Sequence, residues 1–276
     1  MNNILSVGIT THGNRISDRL IETLCGQPVN IIISEDLDDL SVCMPEYFSV
    51  LSHSGVHVEY VFSPKCGIAN NRQNILNHVR TKFLYIIDND DFLEADFVGL
   101  NAYLSNTTDD VLYIKCYEDG KYMHIPRGFI YMCTWMQIFN TEWLKRYGGY
   151  VQSWNFIHEE CATNLNLRAN LNGGEYRRSV LPKSLISYKY HACGAGKSAF
   201  DVSKVCDFVE NIPDNPKILQ KKKFLTLFWN FCRKYISVYR INGDTAVMLT
   251  DVRNGCVADI LAAVRRVQAH LKERGI

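Results

Sequence analysis

The chain has 276 residues, 47% of them hydrophobic and 21% charged, with a formal net charge of +1 at neutral pH. This length fits one large α/β domain or a domain with an appendage, and the apolar content excludes a largely disordered chain. No apolar run approaches the roughly 18 to 20 residues that cross a bilayer, the start lacks the basic segment of a signal peptide, and the ten cysteines form no CxxC pair, so we expect a cytoplasmic protein without a transmembrane segment.

Strands and helices are predicted to alternate over the first 90 residues. Residues 4–10 form an apolar run typical of a buried strand, and Ile16, Leu20, Ile21 and Leu24 then fall on one face of a helix. Further strands are predicted at residues 29–33, 56–62 and 83–87, and a second helix at residues 70–79. This order indicates a mostly parallel sheet flanked by helices.

Less regular structure is predicted beyond the fourth strand. Residues 111–190 are rich in aromatic residues and glycine. Pro213 and Pro216 end a polar stretch and mark a predicted domain boundary. Beyond them, apolar residues recur at helical spacing, so we expect residues 214–276 to form a small helical extension.

The net charge is distributed unevenly along the chain. From Lys217 to the end, twelve Lys and Arg residues face four Asp and Glu residues, which gives +8 and leaves −7 for the rest. Lys221, Lys222 and Lys223 are adjacent at the start of a predicted amphipathic helix. We predict either a contact with DNA or an anionic membrane surface, or a solvated helical face without a partner.

Three carboxylates follow the fourth predicted strand directly, in Asp88-Asn89-Asp90-Asp91, which we name the acidic turn. Carboxylates this close repel one another unless a cation lies between them. Hard oxygen ligands favour Mg²⁺ or Mn²⁺, which bridge to substrate phosphates. The alternative is a solvated turn in which Asp90 or Asp91 caps the next helix.

The order of motifs resembles that of the GT-A glycosyltransferases, particularly the large inverting group called family 2. Gly67 and Asn71-Arg72-Gln73 are similar to the glycine and the Ala-Arg-Asn that open a helix in that family. The acidic turn is similar to its Asp-x-Asp-Asp. Phe156-Ile157-His158-Glu159-Glu160 stands where the family carries Glu-Asp, and Tyr188-Lys189-Tyr190-His191 is similar to its closing Tyr-Arg-x-His.

The resemblance, which covers residues 4–200, implies a fold class and a domain organisation. The fold class would be α/β, a GT-A (Rossmann-like) mostly parallel sheet flanked by helices, with a small C-terminal helical appendage. Residues 1–200 would form the GT-A domain, with a nucleotide-binding half (1–115) and an acceptor half (116–200). Residues 214–276 would form a basic helical extension.

The resemblance also implies an activity and its site residues. A sugar would move from a nucleotide diphosphate sugar, a UDP-sugar in the first instance, to an acceptor hydroxyl with inversion. The metal, Mn²⁺ or Mg²⁺, would be held by Asp88, Asp90 and His191. The donor-binding residues would be Thr10, Thr11, Arg15, Glu35, Asp36, Arg72, Asp88 and Lys197.

The catalytic base is predicted within the acidic pair Glu159 and Glu160. Glu160 replaces the family's aspartate and would take the proton of the attacking hydroxyl. Glu159 would either take that role or orient the acceptor. The structural alternative is a helix N-terminus, whose dipole favours acidic residues.

Two other functions stay open at this point. A sugar-phosphate nucleotidyltransferase also uses a metal at a similar sheet edge, but its glycine-rich basic loop after the first strand matches residues 10–15 poorly. A catalytically inactive sugar- or nucleotide-binding adaptor is disfavoured by the intact Asp88, Asp90 and Glu160. The acceptor is equally open, because the resemblance covers glycans, lipid-linked sugars and hydroxylated DNA bases alike.

Overall fold

A computed structural model describes residues 3–11, 16–37, 46–64, 67–118, 121–122, 134–150, 163–164, 166–167, 170–171 and 174–189. Its strands are β1 (Leu5–Thr11), β2 (Asn30–Leu37), β3 (His57–Pro64), β4 (Phe83–Asp88), β5 (Leu93–Ala95), β6 (Val111–Tyr113), β7 (Lys115–Glu118), β8 (Lys121–Tyr122), β9 (Gln137–Asn140), β10 (Arg178–Val180) and β11 (Ile186–Lys189). Its α-helices are α1 (Asp18–Leu24), α2 (Glu46–His53), α3 (Ile68–His78), α4 (Phe97–Asn106) and α5 (Thr141–Arg146).

The larger sheet is mostly parallel, with the strand order β10-β6-β9-β4-β1-β2-β3. Strand β1 pairs in parallel with β2 and β4, and β2 pairs in parallel with β3. Strand β9 runs antiparallel to its neighbours β4 and β6. The first four strands therefore end at one edge of the sheet, which is where α/β folds bind their ligands.

A smaller sheet of the order β5-β11-β7-β8 lies beside this edge. Its strands have two to four residues each. Strand β5 follows the acidic turn directly, and it pairs antiparallel with β11 through Leu93 and Tyr188. Residues of both sheets belong to one hydrophobic core. The smaller sheet is thus tied both by sequence and by packing to the end of β4.

The core explains why the first strands and helices form where they do. Strand β1 is buried along its whole length, as expected for a parallel strand covered on both faces. Helix α1 begins after Ser17, whose side chain accepts the Leu20 amide, and it buries Leu20 and Leu24. Helix α3 packs so closely on β1 that a β-carbon at Gly8 would lie 2.6 Å from Cγ2 of Ile75.

The α/β fold class predicted from the sequence is confirmed. The four predicted strands correspond to β1, β2, β3 and β4, and the two predicted helices correspond to α1 and α3. Helix α2 and the smaller sheet were not predicted. The predicted C-terminal helical extension, residues 214–276, lies outside the described residues. None of the helices in the described part is long and apolar enough to cross a membrane.

Candidate functional site

Polar side chains from three parallel strands meet at the carboxyl edge of the larger sheet. Thr10 on β1 is paired in register with Ser34 on β2 and with Asp88 on β4. Thr11 is paired with Glu35. The sequence places these residues together because each apolar strand ends in polar residues at the same level of the sheet.

Asp88 is held in place by two donors from different elements. Its Oδ1 accepts a hydrogen bond of 2.8 Å from the Thr10 hydroxyl and an ion pair of 3.2 Å from Nη2 of Arg72. The Arg72 side chain is only 2% exposed, and its Nη1 donates to the Thr134 hydroxyl at 3.2 Å. The Asp88 side chain is 33% exposed, so this carboxylate is oriented by the protein and still faces solvent.

Asp91 closes the acidic turn from inside. Its amide donates to the Asp88 carbonyl at 3.2 Å, and its Oδ2 accepts the Asp88 amide at 2.7 Å. Its Oδ1 accepts the hydroxyl of Tyr188 on β11. Burial, followed by the neighbouring charge of Asp88, raises the pKa of Asp91 to about 7. Both carboxylate oxygens of Asp91 therefore accept hydrogen bonds from within the protein.

The acidic turn is also tied to the start of α1. The Ser17 amide donates to the Asn89 carbonyl at 2.8 Å. The guanidinium of Arg19 lies over the ring of Phe92, with its carbon 3.2 Å from the ring centre, a favourable cation–π arrangement. The next long helix, α4, is capped by Asp96, whose side chain accepts the Gly99 amide. Neither Asp90 nor Asp91 has the helix-capping role that the sequence left open.

Two buried carboxylates lie near the end of the second strand, β2. Glu35 is 2% exposed and Asp36 is 6% exposed. The Tyr60 hydroxyl donates to Oε2 of Glu35 at 3.3 Å, and burial together with the Glu35 charge raises the pKa of Tyr60 to about 12. Asp36 accepts the Gly67 amide at 3.2 Å through Oδ2, where Gly67 has φ +77° and precedes α3. Strand β1 lies between this pair and Asp88 in the sheet.

Thr11 is linked to α3 through its backbone. Its carbonyl accepts a hydrogen bond of 3.2 Å from Nδ2 of Asn71. Arg72, the next residue of α3, bonds Asp88. The Asn71-Arg72 motif therefore ties the ends of β1 and β4 together.

Asp88 and Asp90 fit the needs of a divalent cation. Asp90 is exposed, and both side-chain donors that the described residues give to Asp88 bond its Oδ1. Within the part of the chain that the structure describes, no group of three or more His, Cys, Asp and Glu side chains is arranged to hold a metal ion. Mg²⁺ and Mn²⁺ are commonly bound by one or two carboxylates together with substrate phosphates, and these two aspartates meet that requirement.

The structure thus brings together Thr10, Thr11, Glu35, Asp36, Arg72, Asp88 and Asp90 at one sheet edge. The remaining predicted site residues, Arg15, Glu159, Glu160, His191 and Lys197, lie outside the described residues.

Sequence reasoning missed two residues that hold this site. Thr134 bonds Arg72, and Tyr188 bonds Asp91. Thr134 carries no sequence signal, since a lone threonine in an irregular stretch is common. Tyr188 was noticed as part of the closing Tyr-Lys-Tyr-His run, but the spacing did not indicate its partner.

Comparison with solved structures identifies this arrangement as the GT-A fold. TarS of S. aureus, residues 1–349 in complex with UDP-GlcNAc, is similar with a TM-score of 0.60 at 15% identity, over 98% of this chain and 92% of that chain. A longer TarS structure gives a TM-score of 0.60 at 17% identity, over 96% of this chain and 50% of that chain. At these identities the likeness establishes the fold.

A third similar structure is the mannosyltransferase PcManGT from Pyrobaculum calidifontis, in complex with GDP-Man and Mn²⁺. Its TM-score is 0.50 at 13% identity, over 98% of this chain and 87% of that chain. No protein-family model and no curated protein sequence matches the chain.

Proposed function

We propose that this protein is a metal-dependent glycosyltransferase that uses a nucleoside diphosphate sugar, a UDP-sugar in the first instance. The observation that carries the proposal is Asp88, held by Thr10 and Arg72 at the carboxyl edge of a GT-A sheet. The buried Glu35 and Asp36 lie on β2, which β1 separates from β4, in a place suited to a nucleoside. The similar structures hold UDP-GlcNAc, UDP or GDP-Man with Mn²⁺, which supports this donor class.

Each predicted residue has a role in this proposal. Glu35 or Asp36 accepts hydrogen bonds from the nucleobase, and Thr10, Thr11 and Arg15 line the nucleoside site. Arg72 acts on the donor through Asp88, which it orients, and Lys197 neutralises diphosphate charge. The metal, Mn²⁺ or Mg²⁺, would be held by Asp88, Asp90 and His191. When bound, such a cation stabilises negative charge on the departing diphosphate.

The transfer itself requires a base on the acceptor side. We assign this role to Glu160, with Glu159 as its neighbour and alternative. The oxygen of the acceptor hydroxyl forms the new bond to the anomeric carbon, and its proton passes to the carboxylate. The bond from the anomeric carbon to the diphosphate breaks, and the nucleoside diphosphate leaves with that electron pair. A single displacement of this kind inverts the anomeric configuration.

The domain organisation is part of the same proposal. Residues 1–115 bind the nucleotide and residues 116–200 bind the acceptor, while residues 214–276 form a basic extension. By residue number, β1 to β4 belong to the first of these ranges and β9 to β11 to the second. The acceptor is a glycan, a lipid-linked sugar or a hydroxylated DNA base.

The first prediction tests metal-dependent donor binding. UDP should bind in the presence of Mn²⁺, and chelation or Asp90→Ala should weaken its affinity at least about tenfold, or 1.4 kcal/mol. The reason is that the diphosphate and the acidic turn repel each other without a cation. Isothermal titration calorimetry with UDP and GDP, with and without Mn²⁺, measures both effects.

A matched control for Asp90→Ala is Glu142→Ala. The Glu142 side chain is 83% exposed. It lies in the first turn of α5 at the opposite edge of the sheet, where the Thr141 amide donates to the Lys82 carbonyl ahead of β4. The control should bind UDP like the wild type. Equal UDP affinity with and without the cation would contradict the metal assignment, and no affinity for either nucleotide would contradict the proposed function.

The second prediction concerns the basic extension. If Lys221, Lys222 and Lys223 contact a polyanion, replacing all three by glutamine should weaken that binding and flatten its salt dependence. For duplex DNA the slope of log affinity against log salt should fall by roughly 0.9 for each lost phosphate contact. Binding to a DNA duplex and to anionic vesicles, each at low and moderate salt, measures the effect.

The control replaces three exposed lysines of the described domain, Lys82, Lys145 and Lys183, by glutamine and so changes the net charge equally. It should retain most of the binding. A preference for DNA favours a nucleic-acid acceptor, and a preference for vesicles favours a lipid-linked one. Weak, equal binding by both variants would leave the extension without a polyanion partner.

A further inference from the structure

A hydrogen bond between Tyr188 and Asp91 joins the smaller sheet to the acidic turn. Tyr188 is on β11, the strand that lies between β5 and β7, where it is paired with Leu93 and Cys116. Its hydroxyl donates to Oδ1 of Asp91. The two residues are 97 positions apart, and both are buried, at 3% and 4% exposure. A charged acceptor makes such a bond stronger than a neutral pair.

The bond continues into the backbone of Asp88. The other oxygen of Asp91 accepts the Asp88 amide at 2.7 Å, while the Asp88 side chain is held by Thr10 and Arg72. The backbone of Asp88 is therefore fixed from β11, and its carboxylate from β1 and α3. Loss of the bond from Asp91 would free the backbone of Asp88, and loss of the bonds from Thr10 and Arg72 would free its side chain.

The acidic turn needs the hydrogen bond from Tyr188 because the negative charges of the turn repel one another. Asp88, Asp90 and Asp91 lie within four residues, and like charges at that spacing repel each other. A buried Asp91 without a donor on Oδ1 would bear the desolvation cost of a poorly satisfied charge. Solvation of Asp91 would relieve that cost, but it would open the turn and detach the Asp88 amide.

We infer that Tyr188 is a positioning residue, which holds Asp91 inside the turn so that Asp88 and Asp90 face the nucleotide. This inference rests on the proposed function for its consequence on nucleotide binding. Its structural part, the hold of Tyr188 on the Asp88 amide, is independent of any ligand. The smaller sheet then sets the affinity for the donor, although its residues need not touch the nucleotide.

The test compares Tyr188→Phe with Tyr113→Phe. Each substitution keeps the ring and removes one buried hydroxyl. The hydroxyl of Tyr113 lies 3.0 Å from that of Tyr176, and β9 separates its strand from β4. Both variants should lose thermal stability, and the loss in Tyr188→Phe should be at least as large because its acceptor is a carboxylate. A merely structural role for Tyr188 would make them equivalent in every other measurement.

Amide hydrogen exchange of the ligand-free protein is the first readout. Amide exchange at Asp88 should become faster by about tenfold or more in Tyr188→Phe. In this variant the acidic turn can open without breaking the hydrogen bond between Tyr188 and Asp91, so opening costs less free energy. It should stay within about twofold of the wild type in Tyr113→Phe. Unchanged protection of Asp88 in Tyr188→Phe would overturn the inference.

UDP affinity in the presence of Mn²⁺ is the second readout. Loss of a buried hydrogen bond to a charged group should weaken it roughly tenfold in Tyr188→Phe, with no comparable loss in Tyr113→Phe. Equal affinity of Tyr188→Phe and wild type would also overturn the inference. Faster exchange at Asp88, in a protein whose wild type binds neither UDP nor GDP, would support the hold of Tyr188 and overturn the proposed function.

A double-mutant cycle with Asp91→Asn completes the test. If Tyr188 acts through Asp91, the double variant should exchange at Asp88 about as fast as the faster of the two single variants, because coupled residues are not additive. Additive effects would overturn the inference. Should Asp91→Asn fail to fold, the exchange at Asp88 and the UDP affinity of Tyr188→Phe decide the inference without the cycle.

Discussion

Replacing Glu160 by glutamine should leave UDP affinity nearly unchanged, while sugar transfer falls roughly 10²- to 10⁴-fold. Glutamine keeps the size and the hydrogen-bonding oxygen of glutamate, but it cannot take the proton of the attacking hydroxyl. In the proposed site the donor is bound at the edge formed by β1, β2 and β4, so its affinity should not depend on this proton. Calorimetry with UDP and mass spectrometry of transfer from a set of UDP-sugars measure the two effects separately.

The neighbouring substitution Glu159→Gln is the matched control. The two residues are adjacent and chemically identical, so the pair separates proton transfer from the general effect of losing one acidic charge. A large loss of transfer only in Glu159→Gln would assign the base to Glu159. Unimpaired transfer in both variants would show that this acidic pair is not the base.

The parallel part of the sheet could be predicted because its strands are buried on both faces. An unbroken apolar run such as residues 83–87, ended by an aspartate, is easy to distinguish from an amphipathic helix. Helix α2 was missed because its eight residues, Glu46–His53, include Tyr, Phe and Val, which occur in strands as readily as in helices. The apolar residues of this segment do not recur at a spacing that distinguishes a helix from a strand.

The smaller sheet could not be predicted for a different reason. Strands of two to four residues are too short to show an alternating pattern. They exist because distant segments pair, as β5 does with β11 across about 90 residues. Such pairing is set by the rest of the fold, and local composition carries little trace of it.

The candidate site shows the same division between local and distant information. Asp88 and Asp90 were predicted because carboxylates after a buried strand are conspicuous. Their supports were not predicted, since Thr134 lies 62 residues from Arg72 and Tyr188 lies 97 residues from Asp91. Chemistry that is local in sequence can therefore be anticipated, whereas the residues that orient it require the three-dimensional structure.

Arg72 shows most directly how stability and binding meet at this edge. Its guanidinium is buried and bonds both Asp88 and Thr134. Since Arg72→Met removes hydrogen bonds from a buried guanidinium to Asp88 and Thr134, one of them to a charged group, it should lower the free energy of unfolding by about 2 kcal/mol. UDP affinity should fall as well, because Asp88 loses one of the two donors that orient it. Urea denaturation and calorimetry measure the two quantities.

The control for burial is Arg177→Met. Arg177 forms an ion pair with Asp110 at the same distance of 3.2 Å, but its side chain is 62% exposed. Loss of this pair, whose arginine is exposed, should cost less than about 1 kcal/mol.

Arg72→Lys adds a control for charge, since lysine keeps the positive charge but lacks the planar fork that reaches two acceptors. The free energy of unfolding and the UDP affinity of Arg72→Lys should therefore lie between those of the wild type and Arg72→Met. Equal losses for Arg72→Met and Arg177→Met would mean that burial adds nothing to the Arg72–Asp88 pair, and unchanged UDP affinity in Arg72→Met would mean that Arg72 does not orient Asp88 for the donor.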